Sequence, residues 1–431
     1  MRWLSVIKLW WRRGVRLVLF LIAGLVLTGS QVQLETVGDQ VRRYTRPFEF
    51  DFGTWTVQAI GLKLGQWGLA SEWYIPPEQR SQLVLDYFTR LGTIRSLEAE
   101  IALLYTDPAI EAPEIASRDL AGELDSLRQI QSNVAPMVEA ILQEQAASIL
   151  EELDLDLLGG VFPPVLFQFS QMPMALIVSP RDAIQQEANI QLEPNLSLQD
   201  MVALENSVEE DGEYSALVVP IGGLGVYPTM VMESTTLSWV VEVIVHEWVH
   251  NYLTLRPLGW NYMTSPETRT MNETTASLLG RAIGRLVMLR YYPELAPPEM
   301  VVEPVPAAPP ASTETTPPIF DFRAEMHETR LRVDELLAAG LIEEAEAYME
   351  ARRQVFWENG YQIRRLNQAY FAFYGAYADS PGGAAGSDPV GEAVRRLWVL
   401  VDSPTRFLKL MSPLTDFQGL LDLIETLPST E

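Results

Sequence analysis

The chain has no cysteine among its 431 residues. Disulfide staples and thiolate zinc sites are thereby excluded. Histidine is almost as scarce, with three residues in all. Basic residues are also short: 31 Lys and Arg stand against 57 Asp and Glu, for a formal net charge of −26. A surface of that sign repels phosphate backbones and argues against nucleic acid as a partner. No repeat of fixed period runs along the chain, so repeat architectures are not indicated. Apolar residues, by contrast, are plentiful. Hydrophobic residues make up 48% and charged residues 20%, the balance of a folded protein with a core large enough to exclude water from a site.

The N-terminus carries Arg2, Lys8, Arg12, Arg13 and Arg16 with no acid, then the unbroken apolar run LVLFLIAGLVL at 17–27 and the small residues Thr28-Gly29-Ser30. Residues 1–34 are therefore expected to be a signal peptide cut after Ser30 or an N-terminal membrane anchor. The run is short for a full span, which needs about 20 apolar residues, but extension to Leu34 could lengthen it. In both cases the basic flank stays in the cytoplasm and the rest is exported, secreted or membrane-tethered.

Residues 35–158 read as an N-terminal mainly helical region. The stretch 36–60 mixes aromatic and polar residues and is expected to be extended or irregular. From Pro76 to Leu158 apolar residues recur at three- and four-residue spacing, interrupted between Pro108 and Pro113. Gly159-Gly160 and Pro163-Pro164 mark a boundary. The next region, 159–292, opens with the β-rich runs VLFQFS and MALIVS. SALVVPIGGLGVYPTMVM then suggests two strands joined by a Gly-rich turn. A helix is expected over Thr236–Leu255, capped by Ser234 or Thr235 and ended by Pro257-Leu258-Gly259. Ser265-Pro266 opens the following helix, which stops before Pro293. Residues 293–318 hold nine prolines and read as a disordered linker. Residues 319–431 form a C-terminal helical region interrupted by the Gly-rich SPGGAAGSDPVG.

Two of the three histidines lie in HEWVH, residues 246–250. On a helix, positions i and i+4 share a face, so His246 and His250 can reach one tetrahedral metal. Glu247 stands next to the first ligand, where it can act as a general base on a water polarised by the metal. The plain alternative is two helix-face histidines with a solvated glutamate. A catalytic zinc wants a third protein ligand. Glu273, in the next helix, is the candidate, with Glu267 as competitor.

HEWVH followed by N-E-T-T-A-S resembles the gluzincin metallopeptidases, the thermolysin-like group. NQAYFAFYGAY, near the C-terminus, is similar to the closing segment of bacterial aminopeptidases. The resemblance implies one zinc per chain held by His246, His250 and Glu273, with Glu247 as base. It also implies an antiparallel sheet before the signature helix, drawn from SALVVPIGGLGVYPTMV, whose edge strand takes the substrate backbone. Two departures stand out. Ser277 occupies the position of the group's aspartate partner to a histidine. The Gly-rich GGLGVYP lacks the glutamate with which the aminopeptidases hold a free amine, a role left to Glu233 or Glu242. His327, Tyr370, Tyr374 and Tyr377 are candidates for stabilising an oxyanion, although the tyrosines fall on one stripe, as core residues do.

The expected fold is α+β, predominantly helical, with a zincin-like core made of a small antiparallel sheet and two active-site helices. The expected function is a zinc-dependent peptidase, endo- or amino-, acting on a peptide or protein substrate and membrane-associated through its N-terminus. The alternative is an exported binding or scaffold protein with a structural or vestigial metal site.

Overall fold

A helix with a broad apolar surface cannot sit exposed to water, and LSWVVEVIVHEWVHNYL, apolar over most of its surface outside the stripe of Glu242, His246 and His250, is such a helix. In the computed structural model of the protein it spans Leu237–Leu253, with Leu237, Val240, Val241, Ile244, Val245, Trp248, Val249 and Leu253 all buried. The other elements are arranged around it. The structure describes residues 36–69, 75–106, 110, 112–155, 160–224, 226–298, 320–374, 389–401 and 403–427.

The chain divides into two units, at residues 1–44 and 45–431. The described part of the first is helix α1, Val37–Thr45, with Asp39 in its first turn and Arg42 and Arg43 in its last, a charge order that suits the helix dipole. In the second unit a short turn of 3-10 helix, Arg46–Phe48, precedes α2, Phe52–Leu69. These two helices correct the expectation of irregular chain over 36–60. Two long helices follow, α3 (Pro77–Thr106) and α4 (Arg118–Glu152), which pack on each other. Lys63 of α2 and Glu139 of α4 form a buried ion pair at 2.7 Å.

Among the described residues six strands make two three-stranded sheets. β2 (Met174–Pro180) lies antiparallel between β3 (Ala188–Leu192) and β4 (Tyr214–Pro220), with helix α5 (Leu198–Glu209) packed on β4. The other sheet runs β1 (Phe167–Ser170), β6 (Thr229–Met232), β5 (Gly223–Leu224). β5 pairs antiparallel with β6, but β1 pairs parallel with it. SALVVPIGGLGVYPTMVM thus yields three strands divided between two sheets. Pro220 has no N–H to continue the ladder, so β4 ends there and the chain turns away into β5. The sheet beside the signature helix is accordingly mixed rather than antiparallel.

The signature helix, α6, is followed by α7 (Pro266–Tyr291), which packs against it. Ser265 caps α7 by accepting from Thr268 N, and Pro266 occupies its first turn, as the sequence predicted. Neither Ser234 nor Thr235 caps α6, whose N-cap is Thr236. Helices α8 (Phe322–Ala338), α9 (Ile342–Glu358) and α10 (Gln368–Tyr374) cover one face of the antiparallel sheet, with Ala175, Ile177, Leu217 and Val219 meeting Met326, Val333, Met349, Phe356 and Phe371 in one core. Helices α11 (Pro389–Leu400), α12 (Pro404–Met411) and α13 (Phe417–Thr426) join α3, α4, α6 and α7 in the other. The molecule is predominantly helical, with two small sheets.

Among the described residues no helix is long and apolar enough to cross a membrane. The apolar run at 17–27, most of the Pro-rich segment, Tyr377 and most of the Gly-rich loop lie outside the described residues.

Candidate metal centre

His246 and His250 are one turn apart on α6, and their Nε2 atoms stand 3.0 Å from each other. Glu273 of α7 points between them. Its Oε2 is 3.4 Å from His250 Nε2 and 3.7 Å from His246 Nε2. This oxygen is buried and has no hydrogen-bond partner. A buried carboxylate oxygen without a donor is costly, and a cation would satisfy it. Three atoms bound at about 2.0–2.2 Å to one tetrahedral zinc stand about 3.3–3.6 Å apart. The observed separations bracket that value, and the donor set of two imidazoles and a carboxylate suits zinc.

The outward nitrogens are held as well. Asn272 Nδ2 donates to Leu258 O at 3.5 Å, which turns its Oδ1 toward His250 Nδ1 at 2.8 Å. Ser277 Oγ lies 3.5 Å from His246 Nδ1, so serine supplies the neighbour that the thermolysin-like pattern takes from aspartate. With protons on the Nδ1 atoms, both Nε2 lone pairs face inward. The Tyr262 hydroxyl donates to the other oxygen of Glu273, Oε1. Burial, with the Glu273 charge beside it, pushes the Tyr262 pKa up, so the phenol remains a donor.

α7 is unusual for a buried helix. Thr268, Thr270, Asn272, Glu273, Thr274, Thr275 and Ser277 are all buried within its first half. Packing alone would choose apolar residues at these positions. The competitor Glu267 is exposed in the first turn, outside the cluster.

Glu247 is 6% exposed. Burial raises its pKa, and the neighbouring histidines oppose that rise without cancelling it. Its carboxylate lies against Gly223 of the edge strand β5, where a Cβ would come within 2.3 Å of Oε1. The cleft around these groups has a volume of about 410 Å³. Gly223, Leu224 and Val226 form one wall, and Asn189, Gln191 and Phe373 are on another.

The remaining candidates lie elsewhere. Tyr370 and Tyr374 pack ring against ring at 4.5 Å in the core under the antiparallel sheet. His327 is half-buried on α8. None of the three borders the cleft, which α10 reaches through Phe373. Glu242 accepts from Arg281 Nε at 3.2 Å. Glu233 accepts from Tyr87 and Gln131 in a separate cavity. The tyrosine at the site is Tyr262, from the loop between α6 and α7, a position with no periodicity or motif to single it out. No family model, curated protein or solved structure matches this chain.

Proposed function

We propose that the chain is a zinc-dependent peptidase of gluzincin type, acting on a peptide or protein substrate. The observation that carries this reading is the orphaned Glu273 Oε2, aimed at the gap between two imidazole nitrogens beside a buried, unusually basic Glu247. His246, His250 and Glu273 would hold the ion. When bound, zinc supplies a Lewis acid that polarises a carbonyl and acidifies a water.

The chain's own residues do the rest. Glu247 takes a proton from the attacking water and passes it to the leaving amine. Its raised pKa brings it nearer the range in which a general base works best. Asn272, Ser277 and Tyr262 fix the ligands so that no reorganisation is needed on binding. β5 is the edge of its sheet, and its free side can take an extended peptide as an added strand. A structural zinc is closed by four protein ligands. Among the described residues three converge here, which favours a catalytic site over a scaffold. The basic and then apolar N-terminal sequence supports an activity outside the cytoplasm.

The full-length chain is expected to hold about one zinc, lost in His246→Ala and in His250→Ala. Glu247→Gln should keep the zinc yet cleave at least about a hundredfold more slowly, since an amide cannot accept the proton. A broad peptide library left intact by zinc-loaded wild-type protein would overturn the peptidase reading in favour of the binding protein.

A further inference from the structure

A smaller pocket, of about 100 Å³, adjoins the cleft and shares Gln186, Tyr262, Met263 and Arg269 with it. Arg269 is the notable member. It is 7% exposed. Its Nη1 donates to Ala372 O at 3.1 Å, but its Nε is buried with no hydrogen-bond partner. Among the described residues no carboxylate forms an ion pair with it, and Glu273, one turn along α7, is already engaged by Tyr262 and faces the two histidines. A guanidinium this far from water is normally matched by an anion.

Two further features of the walls have the same sign. Thr264, Ser265 and Pro266 bring the N-terminus of the 26-residue helix α7 to the pocket, the end at which the dipole favours negative charge. Arg330 of α8 lines the pocket as a second guanidinium, tied through Nε to Asp334 at 2.8 Å. Gln186, on the shared wall, has a buried Oε1 without a donor, a match for an amide N–H. On a scale where about 10–15 Å³ holds one water, the pocket has room for a carboxylate.

We propose that this side pocket binds a carboxylate of the substrate, with Arg269 as its anchor and Gln186 taking the adjoining peptide N–H. The inference rests on the peptidase reading of the cleft. The carboxylate is either the C-terminus of the peptide or an acidic side chain near the scissile bond. In a chain of net charge −26, with Glu247 and Glu273 in the same cleft, this is where an anionic group is welcome.

The test is calorimetric titration of zinc-loaded, full-length Glu247→Gln protein with four tetraalanine peptides: the free acid, the C-terminal amide, and the amide carrying Glu or Gln at the third position. A charge-assisted bond to a buried cation should make one acid-bearing member bind about ten- to a hundredfold more tightly than its neutral counterpart. Free acid over amide assigns the chain terminus, and Glu over Gln assigns the side chain. Arg269→Met, checked for zinc content and helical signal, should abolish the preference. Arg330→Gln, at a more exposed residue, should weaken it. Equal affinities within both pairs, no binding of any peptide, or a preference that survives Arg269→Met in folded protein each overturns the proposal. A carboxylate preference in a protein whose wild type cleaves nothing keeps the pocket and removes the peptidase.

Discussion

Gly223 shows how little room the site leaves. Its missing Cβ would lie 2.3 Å from Glu247 Oε1 and 3.0 Å from both Glu247 Cδ and Val243 Cγ1. A methyl there must push the carboxylate off its position. Gly223→Ala is therefore expected to retain zinc, since no proposed ligand moves, while kcat falls about a hundredfold, the scale of a 1 Å misplacement. Parallel measurement of zinc content and kcat checks this, and an undiminished kcat would mean that Glu247 works from another position. Tyr262 acts on the ligand side. Tyr262→Phe removes the donor to Glu273 Oε1 and should weaken zinc binding by about 10–100-fold, the usual cost of losing a partner that orients a ligand, as read by chelator competition. The two kinds of residue differed in how visible they were in sequence. His246 and His250 were legible because helix geometry converts their spacing into a shared face, and Glu247 because it stands next to the first of them. Tyr262 and Gly223 were not, because each acts across the fold on a residue that only tertiary structure brings near.

At the scale of elements, the centre depends on how closely α6 and α7 approach. A Cβ on Gly280 would meet Glu242 O at 3.0 Å and His246 Cβ at 3.1 Å. These are a helix backbone and the root of a ligand, neither free to yield. Gly280→Ala should force the helices apart, lower stability by about 1–3 kcal/mol and loosen zinc together with it. Urea denaturation with and without metal separates the two effects, and full stability with full affinity would show that the helix contact has slack. The helix pair itself was readable, because Ser265-Pro266 starts α7 and the apolar run defines α6. The N-terminal helices were less so. FGTWTVQAIGLKLGQWGL has glycine, threonine and aromatics of low helix propensity, and packing on α4, with the buried Lys63–Glu139 pair, prevails over that local preference. Two strands were expected over 215–232, and a third, β5, lies in what was read as the Gly-rich turn; their partners were not legible, since strand pairing is a long-range choice that Pro220 redirects. Tyr370 and Tyr374 of α10 have core spacing and pack in the core.

For the whole molecule, metal, protons and stability are linked. In the metal-free chain, burial alone would lower the His250 pKa, but the Glu273 carboxylate beside it outweighs burial and pushes it up to about 9. Burial likewise raises Glu273, yet the charges of His250 and His246 beside it hold it well below the usual carboxylate range. The signs follow from which state binds the proton more tightly. The raised His250 adds stability that is complete below its ordinary value of 6.5 and is lost as pH rises through about 9. The depressed Glu273 adds stability that is present above its ordinary 4.5 and lost as pH falls. Between those ordinary values the metal-free pair contributes fully, and toward pH 9 it fades. Zinc needs the neutral imidazole, so its uptake must displace the His250 proton, and its apparent affinity rises as that proton becomes easier to remove. The zinc-induced increase in Tm should therefore grow steadily from pH 6.5 toward pH 9 at fixed free zinc, while the metal-free Tm drifts downward. Taking the difference at each pH cancels the self-repulsion of a chain carrying a net charge of −26. The measurement is differential scanning calorimetry across that window, with His250→Ala as the control in which the zinc increment disappears. An increment that stays flat with pH in the wild type would show that zinc displaces no proton from His250.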